Sequence, residues 1–252
     1  GLIFINFRHD RARQIIEKLK IYYKNLDIVG FIPYGTKDQK GFDYQITSAF
    51  SPLRPTNHLT EYLSNLNIKQ IKIAETEKYA HVTYFFNGLN ENSYKNEERI
   101  IVPSVKTDSF DKVPEMSAFE IRRKIISSLN ENKFEFMLAN FANADMVGHT
   151  GDIQASRKAV EFIDEQLAYI LDSANKNNYL AIITADHGNI EEMISPKSGE
   201  KQMSHSCNQV PFIMIDKNIK NNILLKDGIL ADIAPTIIKI MGFDKPYEMN
   251  GN

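Results

Sequence analysis

The 252 residues suffice for one large domain, or for one domain plus part of another, and 42% hydrophobic content is ample for a core. A formal net charge of -2 gives no overall reason to expect a nucleic-acid or anionic-membrane partner, and no segment approaches the roughly 20 apolar residues of a membrane span. The one cysteine, Cys207, excludes an internal disulfide, fits a reducing compartment, and reads as a packing or spectator thiol in preference to a ligand.

Taken in order, Leu2-Ile-Phe-Ile5 predicts a strand. Its apolar run starts at the second residue, so further chain is expected upstream, and no basic-then-apolar export pattern marks this end. Ile15, Ile16, Leu19 and Tyr22 or Tyr23 form a helical stripe behind Arg8, Arg11 and Arg13. Three arginines at a helix start oppose the macrodipole. They read as an anion clamp in preference to a solvated turn, because guanidinium forks match phosphate oxygens. Asp27 to Phe50 reads as strand and loop. Ser51-Pro-Leu-Arg-Pro-Thr56 carries two prolines in four residues, and we place a linker at 52–56 between domains at 1–51 and 57–252.

Thr60, Glu61, Leu63 and Leu66 predict a short helix, Lys69–Ala74 an alternating strand, and His81–Phe86 another strand. By spacing alone Lys78, between them, is a surface lysine; a fixed charge for a transition state is the alternative. Arg99–Pro103 predicts a strand, and Ser117-Ala-Phe-Glu120 a capping box opening a helix through Leu129. Phe134–Phe141 reads as a buried strand and Asp152 as the start of the longest helix, with Ala155, Ala159, Ile163, Leu167, Ile170 and Ala174 inward. Leu180–Ala185 and Val210–Ile215 are further strands, and Asp232 reads as the N-cap of Ile233–Met241, with Gly242 as its stop. Strands alternating with helices across 60–242 predict an α/β sandwich with a largely parallel sheet.

The chemistry concentrates at strand ends. Asp145 and His149 lie four apart after the strand that ends near Phe141, close enough to share an ion if the turn is helical. Asp186 and His187 follow the next strand, where both can face one site only if the strand has already broken into a loop. His205 stands ahead of the apolar run from Val210. The chain has six histidines, and three fall here beside two aspartates, the donors expected of a two-metal centre.

Six segments, Asn6-Phe-Arg-His-Asp-Arg-Ala-Arg13, Ala74-Glu-Thr-Glu-Lys-Tyr-Ala-His-Val82, Pro114-Glu-Met-Ser-Ala118, Asp145-Met-Val-Gly-His-Thr-Gly151, Thr184-Ala-Asp-His-Gly-Asn189 and Leu230-Ala-Asp-Ile-Ala-Pro-Thr236, stand in a telling order. The chain resembles the cofactor-independent phosphoglycerate mutases of the alkaline phosphatase superfamily. The resemblance implies a three-layer α/β sandwich of alkaline-phosphatase type, preceded by the end of a second α/β domain, the phosphotransferase domain. It implies interconversion of 3-phosphoglycerate and 2-phosphoglycerate through a serine that takes the phosphoryl group, with two manganese ions. By position, Asp145, His149 and His205 resemble the ligands of one metal, and Asp186 and His187 part of the set for the other. Arg8 and Arg11 resemble the pair that reaches the substrate phosphate. Lys78 resembles the lysine that steadies the phosphoryl group, which reverses the surface reading. A cytoplasmic protein, monomeric at full length, with no nucleic-acid or membrane partner is implied as well.

The sequence departs from that pattern at His9, where the family has proline, and at Ser206 and Cys207, where it has threonines; none of these replaces a charge-bearing group. The family's N-terminal region, which carries the serine and a further aspartate ligand, has no counterpart here, so the chain reads as a C-terminal fragment expected to be inactive alone. The alternatives are a phosphatase or phosphopentomutase of the same superfamily, or a non-catalytic metal-binding remnant.

Overall fold

A computed structural model describes residues 1–34, 46–50, 55–218 and 225–252, with the side chains of residues 9–11 outside that set. Two compact units result, Gly1–Pro55 and Thr56–Asn252. Positions 52–54 of the expected linker lie outside the described residues.

In the first unit β1 (Leu2–Phe4), β2 (Ile28–Gly30) and β3 (Thr47–Ser48) pair in parallel in that order. Helix α1 (His9–Tyr22) lays Ala12 and Ile16 on Ile28, Ile32 and Tyr34, joined by Leu2 and Phe4. Because side chains alternate along a strand, Ile3, Ile5 and Phe7 point the other way and are 69–70% exposed. The hydroxyl of Tyr34 donates to the carbonyls of Asn6 (2.5 Å) and Phe4 (3.1 Å), which anchors the turn leading into α1.

The second unit runs α2 (Leu59–Asn65), β4 (Gln70–Glu75), β5 (Glu97–Val102), α3 (Ala118–Glu131), β6 (Phe136–Asn140), α4 (Asn143–Gly148), α5 (Ile153–Lys176), β7 (Ala181–Thr184), β8 (Phe212–Ile215) and α6 (Ile233–Ile240). β4 lies between β5 and β6, all three parallel, with Ala74 opposite Ile101 and Asn140. β7 and β8 form a separate antiparallel pair, Thr184 opposite Phe212. The chain is thus α/β, its parallel sheets covered by helices. On one face of β4, Ile71 and Ile73 meet Ile121, Ile125 and Leu129 of α3 and Ala174 of α5. A second apolar cluster joins Leu59 and Leu63 of α2 to Ile238 of α6, with Phe86 and Phe136 against it.

Three expectations are corrected. His81–Phe86 is not a strand: His81–Phe85 is a wide π-type helical turn, with Thr83 Oγ1 donating to the Tyr79 carbonyl at 2.7 Å. A short apolar run does not by itself separate strand from buried helix. The capping box at Ser117 does not form, because Ser117 Oγ donates to the Pro103 carbonyl at 2.9 Å instead. Asp232 also leaves α6 without a side-chain cap; its carboxylate accepts from the backbone N–H groups of Ile229 (2.8 Å) and Asn252 (2.7 Å). Asp152 does cap α5, accepting from the Ala155 N–H at 2.8 Å.

The alternation in Lys69–Ala74 suggests a half-solvated strand, yet β4 is buried throughout and Lys72 is 0% exposed. Its ammonium donates to Thr60 Oγ1 (2.8 Å) and Asn87 Oδ1 and lies 3.4 Å from Glu97 Oε1. Burial pushes the Lys72 pKa down to about 8, against the pull of Glu97. Burial alone would push Glu97 up, but the Arg99 hydrogen bond, the Tyr94 N–H and the charge of Lys72 outweigh it and hold that carboxyl low.

Breaking a buried pair from the anionic side leaves both cations short of a partner, so Glu97→Gln is expected to cost about 3–5 kcal/mol. Lys72→Met removes a charge whose displaced pKa already corresponds to about 3 kcal/mol of unfavourable burial, and should cost much less. Between pH 8 and 10.5 the unfolded chain holds a proton that folded Lys72 has released, so wild-type stability should rise with pH relative to Lys72→Met. Urea midpoints of the three proteins at pH 7 and 9.5 check both points.

Candidate metal centre

The parallel pairing of β4 with β6 builds the first half of the site. Four residues past Ala74, Lys78 closes the 3-10 turn Thr76–Lys78; five residues past Asn140, Asp145 lies in the first turn of α4. Both therefore emerge at the carboxyl ends of adjacent strands, where α/β proteins gather ligands. Lys78 Nζ donates to Asp145 Oδ2. Lys78 is 7% exposed, so the surface reading drawn from its spacing is wrong.

Antiparallel pairing of β7 with β8 builds the second half. The residues after β7 lie beside those leading into β8, and a bridge between Gly188 and Ser206 extends that contact, the Ser206 N–H donating to the Gly188 carbonyl at 3.0 Å. β7 has ended at Thr184, so Asp186 and His187 are loop residues, free of strand alternation. His187 Nε2 lies 3.5 Å from Asp186 Oδ2.

Where the halves meet, α4 keeps Asp145 and His149 one turn apart, with the His149 N–H donating to the Asp145 carbonyl at 3.1 Å. Asp145 Oδ1 is 3.1 Å from His149 Nε2 and 3.0 Å from His205 Nε2, and the two nitrogens are 3.2 Å apart. His187 stacks on His205 with ring centroids 3.6 Å apart at 19°, and Asp145, His187 and His205 also offer donor atoms within 4.8 Å of one another. His149 Nδ1 donates to the Met203 carbonyl at 2.6 Å, and His187 Nδ1 to that of Gly188 at 3.2 Å, so the neutral form of each ring turns its Nε2 lone pair toward the cluster.

This donor set fits a divalent cation. Metal–ligand distances of about 2.0–2.2 Å put neighbouring ligands of one ion roughly 3 Å apart, the spacing of the Asp145–His149–His205 triangle. Burial alone would raise the Asp145 pKa, but the Lys78 hydrogen bond and charge, the Asn189 amide and His149 outweigh it and hold the carboxyl at about 2. Asp145 is therefore an anion throughout the physiological range, as a ligand must be.

Of the residues singled out from the sequence, Lys78, Asp145, His149, His187 and His205 come together in the second unit, and Asp186, in the same unit, reaches only His187. Arg8 and Arg11 belong to the first unit, where Arg8 is the N-cap of α1 and the side chain of Arg11 lies outside the described set. Cys207 is exposed and outside the donor cluster. Sequence reasoning assigned no role to Asn189 or to the Met203 carbonyl. Asn189 sits inside a quoted motif and was detectable there; a backbone carbonyl carries no side-chain signal at all.

Residues 34–245 match the model of the Metalloenzyme superfamily. Proteins named 2,3-bisphosphoglycerate-independent phosphoglycerate mutase from Clostridium acetobutylicum and Clostridioides difficile are 45% and 46% identical to the chain over its full length, covering 50% of each relative. A solved structure, Leishmania mexicana phosphoglycerate mutase at low cobalt concentration, superposes with a TM-score of 0.79 at 28% identity, covering 89% of this chain and 43% of that one. The chain spans about half the length of the curated relatives it matches. With a family model matched over most of its residues and the donor cluster in place, the chain belongs to the Metalloenzyme superfamily.

Proposed function

We propose that this chain supplies the metal-binding part of a phosphoglycerate mutase, an isomerase that interconverts 3-phosphoglycerate and 2-phosphoglycerate in cytoplasmic glycolysis. The observation that carries the reading is the Asp145–His149–His205 triangle, with edges of 3.0–3.2 Å and Lys78 on the far carboxylate oxygen. In this reading those three side chains hold one divalent cation, and Asp186 and His187 contribute to a second. Manganese is the metal we favour, on the strength of the family resemblance. Bound divalent cations supply charge neutralisation for a phosphoryl group and acidify a coordinated oxygen.

The chain's own groups have distinct parts. Lys78 engages Oδ2 of Asp145 while the histidines face Oδ1, so the lysine and a cation can use opposite oxygens of one carboxylate. Its ammonium, shielded from water, keeps a fixed positive charge beside the metal cluster for a phosphoryl group in transit. Arg8 and Arg11 are assigned to the substrate phosphate, which suits guanidinium geometry. The serine that accepts the phosphoryl group is assigned to the part of the whole enzyme outside these 252 residues. At full length we expect a monomer with no nucleic-acid partner; among the described residues no helix is long and apolar enough to cross a membrane.

Manganese titration of the isolated chain should show saturable binding that Asp145→Ala and His149→Ala abolish, and phosphoglycerate turnover should be absent even with excess metal. Turnover by the isolated chain would contradict the proposed division of labour. In the full-length protein, Lys78→Met should lower kcat by about 10²–10³, and manganese affinity should fall with it, because Asp145 loses its partner on Oδ2. Assaying the full-length protein with phosphoglycerate against ribose phosphate separates a mutase of this kind from a phosphopentomutase, and preference for the ribose ester would overturn the substrate assignment.

A further inference from the structure

Asp145 Oδ1 has a third neighbour besides the two imidazoles: the Asn189 amide, whose Nδ2 donates to it at 2.8 Å and reaches the Asp145 backbone carbonyl at 3.3 Å. Asn189 is 5% exposed and comes from the loop after β7, whereas Asp145 belongs to α4 after β6. One amide thus joins the two halves of the site. We propose that Asn189 is a positioning residue for the metal centre, turning the Asp145 carboxylate so that Oδ1 meets His149 and His205 while Oδ2 stays on Lys78. This inference rests on the reading of those three residues as metal ligands.

Two independent features show that the fold is arranged around this amide. The Asn189 carbonyl oxygen, Oδ1, is buried without a hydrogen-bond partner. Flipping the amide would point that oxygen at the Asp145 carboxylate and repel it, so the orphaned acceptor is tolerated to keep the N–H on the ligand. The second feature is Gly148, inside α4, where glycine weakens a helix. A Cβ at this position would stand 2.5 Å from Asn189 Oδ1 and 2.7 Å from Ile190 Cγ2. Only a residue without a side chain lets the amide lie against the helix that carries Asp145. Asn189 is held from its other end as well, its backbone N–H donating to Glu191 Oε2 at 2.7 Å.

A carboxylate ligand whose outer hydrogen bond is lost binds metal about 10–100-fold more weakly. Manganese titration of the intact chain by calorimetry and by electron paramagnetic resonance should therefore show that drop for Asn189→Leu, with an altered manganese spectrum, while metal-free thermal midpoints stay close to wild type. Gly148→Ala, which leaves every donor side chain in place, should weaken binding in the same direction by displacing the amide. Should Asn189→Leu not fold, Gly148→Ala alone decides. Wild-type affinity and spectrum in the folded variants would overturn the role of Asn189 and leave the metal centre standing. Failure of the wild-type chain to bind manganese would sink the centre itself, and this inference with it.

Discussion

The second unit is organised by the problem of holding the Asp145 carboxylate largely out of water. A buried anion must be met by positive charge or by N–H donors, and Asp145 has Lys78 after β4 and Asn189 after β7, while the imidazoles of His149 at the end of α4 and His205 ahead of β8 close on the same carboxylate. None is near another in sequence except Asp145 and His149. Their convergence is a product of strand pairing. The parallel register of β4 with β6 places Lys78 against Asp145, and the antiparallel register of β7 with β8 sets Asn189 beside His205.

The same arrangement accounts for the division between rigid frame and reactive cluster. β4 is buried along its whole length, with Ile71 and Ile73 locked on α3 and Lys72 held by Thr60, Asn87 and Glu97. A strand gripped on both faces and both edges has little freedom, so the turn that follows it presents Lys78 from a fixed base. His205 and Asp186, by contrast, are exposed. We regard the ion pair within the core and the cluster at the strand ends as two uses of buried charge, one for framework and one for chemistry.

Much of this was legible in the sequence. The pairs Asp145–His149 and Asp186–His187, and His205 ahead of an apolar run, were marked from their spacing as candidate ligands, and the fold brings Asp145, His149, His187 and His205 together. Strands β4, β6 and β7 and helices α3 and α5 followed from periodicity. What failed did so for nameable reasons. His81–Phe85 looked like a strand because a short apolar run reads alike in a strand and in a buried helical turn. The polar alternation of Lys69–Ala74 does not reveal that Thr60 of α2 lies over Gln70 and Lys72. Ser117 and Asp232 carry capping chemistry but find other partners, a competition that local sequence cannot rank. Lys78 looked like a surface residue by spacing alone; the family resemblance had already reversed that reading, and the fold puts Asp145 beside it.

The central claim is that Asp145, His149 and His205 share one divalent ion. Anomalous diffraction from crystals of the chain grown with manganese tests it most directly. The account predicts a single strong peak about 2.0–2.2 Å from Asp145 Oδ1 and from the Nε2 atoms of both histidines. A map with no peak there, or with manganese bound only to surface carboxylates elsewhere, would contradict it.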